Sequence, residues 1–190
     1  MRNKFNIVDA NPPIPKVNTI FPESQYLDDA ARWLAKKIKQ TQKGNHNLVL
    51  FGDFDVDGTT STVIMQLFNK CAKAGGASTP FISKRSDGYG LTRGAMDRMY
   101  AENTDPSETT IILMDLGIST TAETEEMLSK GYSVMVIDHH VPAPSAPKEW
   151  ERLRNTYGTD RVLAYDPLLH DDEPDCYKSL SAAGLVYKIC

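Results

Sequence analysis

The sequence is short of the features that would staple, anchor or broadly charge a protein. It has only 3 cysteines in 190 residues, Cys71, Cys176 and Cys190, and they lie far apart. That spacing is neither a disulfide framework nor a zinc-ligand pattern, and it fits a chain kept reduced in the cytoplasm. No apolar run approaches the roughly 20 residues a membrane helix needs, so no membrane partner is expected. The opening MRNKFNIVDANPPIPKV lacks the apolar centre of a secretory signal. Positive charge is not in excess: 21 Lys+Arg against 25 Asp+Glu leave a formal charge of −4. Indiscriminate binding of nucleic acid through bulk charge is thereby disfavoured. A nucleic-acid enzyme is not, because bound metals and a local basic rim can reverse the potential at one site. The chain does have a 41% hydrophobic share, a globular amount, in a length that holds one sizeable core.

Residues 1–24 read as an irregular lead-in, punctuated by Pro12, Pro13, Pro15 and Pro22. Residues 25–190 read as one domain. The spacing predicts an amphipathic helix from Asp28 to Gln42, with Leu27, Ala31, Leu34, Ala35 and Ile38 inward and Lys36, Lys37 and Lys39 mostly outward. Strands are expected at Asn47–Phe51, Thr79–Ile82, Thr109–Met114, Tyr132–Ile137 and Arg161–Tyr165. Helices are expected at Thr59–Ala74 (closed by Gly75-Gly76), Thr92–Ala101, Thr120–Lys130 (stopped by Gly131), Lys148–Arg154 and Ser179–Ile189. Asp166 to Asp175 reads as an acidic surface loop. Strand and helix alternate, and the strongest strands are continuously apolar. The expected class is α/β, an open, mostly parallel sheet with helices on both faces.

In such a sheet, ligands bind beyond the carboxyl ends of the strands. After NLVLF comes Asp53-Phe54-Asp55-Val56-Asp57-Gly58, preceded by Gly52. After TTIILM comes Asp115, and after YSVMVI comes Asp138-His139-His140. Three strands thus bring carboxylate or imidazole to one edge. Asp53, Asp55 and Asp57 alternate, so an extended backbone would point them the same way, roughly 6.5 Å apart. Gly58 would allow a tight bend, with Thr59-Thr60 capping the next helix. A lone Asp after a strand is ordinarily a cap, but only one of three can cap. A calcium loop is excluded because the twelfth position from Asp53 is Ile64 rather than Glu. Acids so crowded must stay protonated or hold cations, and oxygen ligands with one or two imidazoles suit manganese or magnesium. Two such ions about 3.5–4 Å apart would activate a water against a phosphoester.

GDFDVDGTTST, MDLGIS and VIDHHVP, in that order, resemble the successive motifs of the DHH phosphoesterase superfamily. KRSDGYGLT at Lys84–Thr92 and the closing SAAGLVYKI are similar to segments of its RecJ-type exonucleases, and the likeness runs from Asn47 to Cys190. The resemblance implies a two-metal phosphodiesterase, acting 5′ to 3′ on single-stranded DNA with Mn2+ or Mg2+. It implies Asp55, Asp57 and Asp115 as metal ligands, Asp115 bridging two ions, and His139 as a ligand on one. Asp53 would be a ligand or would orient the attacking water. His140 would contact the scissile phosphate or hold a metal-bridging carboxylate, and Asp138 would fix a histidine tautomer. Lys84 and Arg85 offer donors for backbone phosphates, and Tyr89, between two glycines, can stack on a base. Arg93 and Arg98 extend that rim or are plain surface charges.

The resemblance also implies a further metal-binding Asp beyond the last helix and a second domain closing over the site. The sequence contains neither, so the expectation is a DHH domain, residues 25–190, truncated at its C-terminal end. More chain or a partner protein would pack on Val186, Tyr187 and Ile189 and complete the site. Two other functions remain open at this point. One is the same chemistry on short oligoribonucleotides, phosphoadenosine phosphate or cyclic dinucleotides. The other is a catalytically incomplete binding or scaffold subunit.

Overall fold

Among the described residues five segments form the strands: β1 (Asn47–Gly52), β2 (Ser78–Ile82), β3 (Thr109–Met114), β4 (Ser133–Ile137) and β5 (Val162–Tyr165). Between and around them lie α1 (Gln25–Thr41), α2 (Val56–Cys71), α3 (Arg93–Glu102), α4 (Thr121–Lys130), α5 (Ala146–Tyr157), α6 (Asp175–Lys178) and α7 (Ala182–Ile189). The computed structural model describes residues 21–44, 46–71, 78–103 and 105–190. Most of the expected lead-in and the Gly75-Gly76 helix stop lie outside the described residues. No described helix is long and apolar enough to cross a membrane.

The sheet is parallel throughout, in the order β2-β1-β3-β4-β5. Side chains alternate between its faces, as the strand period demands. Val49, Phe51, Ile111, Leu113, Val134 and Val136 meet α3, α4 and α5 through Met96, Met99, Met127, Leu128, Trp150 and Leu153. Leu48, Leu50, Ile112, Met114, Met135 and Ile137 meet α1, α2 and α7 through Trp33, Leu34, Ile38, Met65, Leu185, Val186 and Ile189. Burying one such aliphatic side chain contributes about 1.5–3 kcal/mol, so two covered faces explain why β1, β3 and β4 are apolar without interruption. Pro80 sits in β2, an edge strand where a missing amide donor is tolerated.

The register carries the functional consequence. Gly52 pairs with Ile82 and Met114, Met114 with Ile137, and Ile137 with Tyr165. All five strands therefore end level. The next residue along each is Asp53, Ser83, Asp115, Asp138 and Asp166. The ladder runs one step further through these residues: Ser83 N bonds Gly52 O (3.1 Å), Asp115 N bonds Ile137 O (3.0 Å) and Asp138 N bonds Tyr165 O (3.1 Å).

Several expectations are corrected. α2 begins at Val56 rather than Thr59, and Asp55 rather than Thr59-Thr60 caps it, since Asp55 Oδ1 accepts from Gly58 N at 3.0 Å. Asp53, Asp55 and Asp57 therefore do not alternate on an extended backbone, because the chain turns into helix after Asp55. Gly58 is needed for space rather than for a bend: an added Cβ would lie 2.5 Å from the backbone N and O of Asp53. The inner face of α1 is rotated, with Lys37 buried and Ala35 exposed. Lys37 donates to Ser133 Oγ (2.9 Å) and lies 4.9 Å over the Trp33 ring, its stem in the core. Burial lowers its pKa to about 8. The final helix starts at Ala182 rather than Ser179, behind the short unexpected helix α6, and Val186 and Ile189 are already buried, leaving only Tyr187 of that trio exposed. The segment after β5 is no simple surface loop, because Asp166 and Glu173 are buried. Glu173 accepts from Ser24 Oγ at 2.8 Å and from the Tyr165 hydroxyl at 2.9 Å, which ties the start of α1 to the end of the chain.

Gly58→Ala is expected to cost about 1–3 kcal/mol through overpacking against a fixed backbone. Gly94→Ala, whose Cβ would meet nothing nearer than 3.9 Å, is expected to be neutral or to stabilise by up to about 1 kcal/mol. Urea unfolding of the two variants checks both.

Candidate metal centre

The site is built on the row of residues that follows the level strand ends. Neighbouring strands stand about 4.8 Å apart, so Asp53, Asp115, Asp138 and Asp166 are adjacent along one edge. Each is held differently. Asp53 is buried and accepts from Ser83 Oγ (2.6 Å) and Phe54 N (2.8 Å), both at Oδ1, which leaves Oδ2 uncommitted. Asp115 adopts a left-handed backbone, φ 65°, the only non-glycine residue to do so among those described. Aspartate, with its short polar side chain, is one of the few non-glycine residues that enter this region readily. Burial pushes the Asp115 carboxyl up to about 6; His139 pulls it down, and the Asp55 and Asp57 carboxylates push it up.

The DHH segment divides its labour. His139 Nε2 lies 3.2 Å from Asp115 Oδ1 and 3.6 Å from Asp57 Oδ2, and the Asp115 carboxylate raises its pKa. His140 Nδ1 bonds Asp138 Oδ1 at 2.7 Å, which raises its pKa to about 9 and leaves Nε2 for a ligand. Asp138 is an anchor. Burial alone would raise its pKa, but His140 and the Ile118 and His139 amides outweigh that and hold it below the ordinary carboxylate value. Asp55 is likewise held low, first by the Gly58 amide.

The structure therefore brings Asp55, Asp57, Asp115, His139 and His140 together. Donor atoms of Asp115, His139 and His140 fall within 4.8 Å of one another. Borderline imidazole and hard carboxylate donors at that spacing fit a divalent ion such as manganese. Asp53 and Asp138 stand at the edge of the cluster, Asp138 turned to His140 and to the loop after β3. A cleft of about 240 Å³ opens beside them, lined by Asp53, Tyr89, Asp115, Asp138, His140 and the loop from Leu116 to Thr120. A larger cleft of about 430 Å³, lined by Trp150, Glu151, Arg154 and His170 among others, contains none of these acids.

Beside the cleft, Tyr89 is 75% exposed and its ring centroid lies 4.8 Å from that of Phe54. The Arg85 guanidinium sits 5.3 Å over Phe54. Lys84 is exposed, and its amide donates to Asp87, which Arg98 pairs at 2.5 Å. Arg98 thus braces the turn, whereas Arg93 pairs Glu126 on the surface. Sequence reasoning does not single out Phe54 or Ser83, and it leaves Asp166, at a strand end before Pro167, as either a substitute oxygen ligand or a turn residue. Phe54 is visible as the aromatic inside the acidic motif, whereas Ser83 requires the strand register.

A profile of the DHH family, N-terminal domain, matches residues 47–190. The chain belongs to the DHH family. It is 34% identical over 122 residues to the single-stranded-DNA-specific exonuclease RecJ of Thermus thermophilus, covering 64% of this chain and 17% of that protein. It is 32% identical over 161 residues to RecJ of Salmonella typhimurium, covering 85% of this chain and 24% of that protein. A crystal structure of exonuclease RecJ bound to manganese superposes with a TM-score of 0.58 at 25% identity, over 90% of this chain and 37% of that one. The chain thus spans about a quarter or less of the RecJ sequences it matches. CDC45 from Entamoeba histolytica, at 14% identity, shares the fold with a TM-score of 0.56 over 86% of this chain and 29% of that one.

Asp166 is fully buried; Oδ1 accepts from Leu168 N at 2.8 Å and Oδ2 has no partner. Burial pushes its pKa up to about 7. An acid bound more tightly to its proton in the folded state loses stability as pH rises from its unfolded pKa, near 4, to its folded one. Asp166→Asn is therefore expected to raise the unfolding free energy at pH 8 by roughly 1–3 kcal/mol and to change little at pH 4. Urea unfolding in EDTA at the two pH values checks this.

Proposed function

We propose that this chain is the metal-binding DHH portion of a phosphodiesterase that hydrolyses single-stranded DNA from its 5′ end. The observation that carries the reading is the convergence of Asp115 Oδ1 and Asp57 Oδ2 on His139 Nε2, at 3.2 and 3.6 Å, beyond the level ends of β1, β3 and β4, with His140 beside them. The family membership and the RecJ relatives support it. Residues 25–190 are taken as one domain, since α1 closes the same core face as α2 and α7. Three free thiols suit the cytoplasm.

Asp55, Asp57, Asp115 and His139 would hold a pair of divalent ions, Mn2+ or Mg2+. Such ions supply an acidified water and neutralise charge on the attacked phosphate. The chain's own residues do the rest. Asp138 locks the His140 ring, whose raised pKa keeps it cationic at neutral pH and suited to a phosphate oxygen. Asp53, fixed by Ser83 at Oδ1 and lining the cleft, keeps Oδ2 uncommitted to orient water or a cation. Phe54 and Tyr89 offer aromatic faces for a base, and Lys84 and Arg85 offer donors for the backbone.

The test is manganese-dependent digestion of end-labelled single strands with either the 5′ or the 3′ end blocked, run beside a short oligoribonucleotide and a cyclic dinucleotide. Loss of cleavage on blocking the 5′ end alone is expected. Preference for the small substrates would overturn the substrate assignment, and cleavage unaffected by EDTA would overturn the metal mechanism. Removing a residue that merely supports a metal ligand costs about 10–100-fold, so Asp115→Asn is expected to lower the rate by more than about 100-fold. Tyr89→Ala is expected to raise KM by roughly 5–100-fold with kcat little changed, since stacking contributes about 1–3 kcal/mol per base.

A further inference from the structure

Asp57 differs from the other acids of the cluster because a distant helix holds it. α7 follows Ser181, and the amide donors of its first turn are all engaged. Ala182 N donates to Asp57 Oδ2 and Ala183 N to Asp57 Oδ1, each at 2.9 Å. Gly184 N donates to Ser181 Oγ at 3.4 Å, and Leu185 N to Ser181 O at 3.0 Å. Two of the four orphan donors of a helix start therefore grip one carboxylate, one amide per oxygen. That fork fixes the rotation of the carboxylate, since turning it breaks a bond, and the positive end of α7 adds attraction. The same Oδ2 lies 3.6 Å from His139 Nε2. A carboxylate oxygen has two lone pairs, so an amide on one leaves the other for the site.

We propose that α7 is a positioning element of the metal centre. Its Ala182 and Ala183 amides hold Asp57 in the orientation that takes a divalent cation together with Asp115 and His139. Cation binding in turn holds α7 in its seat on α2, since coupling between two binding events is reciprocal. The inference rests on the metal-centre reading above and adds to it a link between ion affinity and the docking of the last helix. Ala182, Leu185, Val186 and Ile189 are the buried residues that seat it.

Ala182 occupies the first helical position, where proline is accepted because its amide is outside the helical ladder. Ser181, at φ −72° and ψ 166°, already has the extended backbone that a residue before proline prefers. Ala182→Pro thus deletes one donor to Asp57 and spares the intrahelical bonds. Calorimetric Mn2+ titration of the full chain is expected to show about 10–100-fold weaker binding in Ala182→Pro. In an Asp57→Asn background the same substitution is expected to change affinity less than twofold. Because the proline ring enters a buried position, amide exchange of the unsubstituted chain provides a second measurement. Mn2+ is expected to slow exchange at Leu185–Ile189 at least about tenfold more than in α1. Mn2+ binding to the unsubstituted chain with equal affinity for Ala182→Pro, or with α7 and α1 protected alike, overturns the coupling alone. Absence of Mn2+ binding to the unsubstituted chain overturns the metal-centre reading and the coupling with it.

Discussion

The level ends of five parallel strands are the constraint on which the site depends. Register in a sheet buried on both faces is unforgiving, because a slip of one residue would turn Val49, Ile111 and Val134 toward the helices that now cover Leu50, Ile112 and Met135. Packing of the core therefore also aligns what comes after the strands. Four of the five next residues are aspartates, and their row is a by-product of hydrophobic registration. Two unit charges about 5 Å apart repel by roughly 3 kcal/mol at an effective dielectric of 20, so a row of four ionised carboxylates would oppose the fold that creates it.

The molecule relieves this repulsion differently at each position. Asp53 is solvated by a hydroxyl and an amide from its own end of the sheet. Asp138 collects amides and the cationic His140 ring, so its charge is cheap to keep. Asp166 has a single amide at Oδ1 and nothing at Oδ2, so burial outweighs that bond and holds its proton up to about 7. Asp115 lies between these limits: burial and the facing acids favour the neutral form, and His139 favours the charged one. An acid poised in that way gains most from a divalent cation, since the ion removes both the desolvation penalty and the repulsion together. The asymmetry separates Asp115 from Asp138 and Asp166: it alone of the three has both the His139 ring and the facing Asp55 and Asp57 carboxylates beside it.

This distribution was only partly legible in the sequence. The five strands, their parallel pairing and the three acidic clusters could be read because continuous apolar runs report two-sided burial and strand ends follow directly. Errors arose where a polar side chain serves the interior. Lys37 lies on the buried face of α1 because Ser133 Oγ, on a strand nearly a hundred residues away, accepts a hydrogen bond from its ammonium. Asp166 and Glu173 read as an exposed acidic loop, yet Glu173 is buried by hydroxyls from Ser24 and Tyr165. Asp57 read as the third member of an alternating triplet, whereas the onset of helix at Val56 turns it toward α7. In each case the deciding partner is remote in the chain, and hydrophobic periodicity carries no trace of it.

The strand order explains why the acidic edge opens to a cleft at one part and is sealed at another. From β1 the chain goes to β2 on one side, then returns past β1 to enter β3 on the other. The connections leaving β1 and β3 therefore diverge, and a crevice opens between them at their carboxyl ends. Asp53 and Asp115 flank that opening, Phe54 and Tyr89 stand on the β1–β2 side, and the Leu116–Thr120 loop forms the other wall. At β5 nothing diverges: the chain turns through Pro167–Leu169 and seals Asp166 beneath it. Two aspartates with the same position at a strand end thus take opposite fates. One faces a crevice with an imidazole beside it, and the other is buried with an oxygen unpaired, because the topology splits above the first and closes above the second.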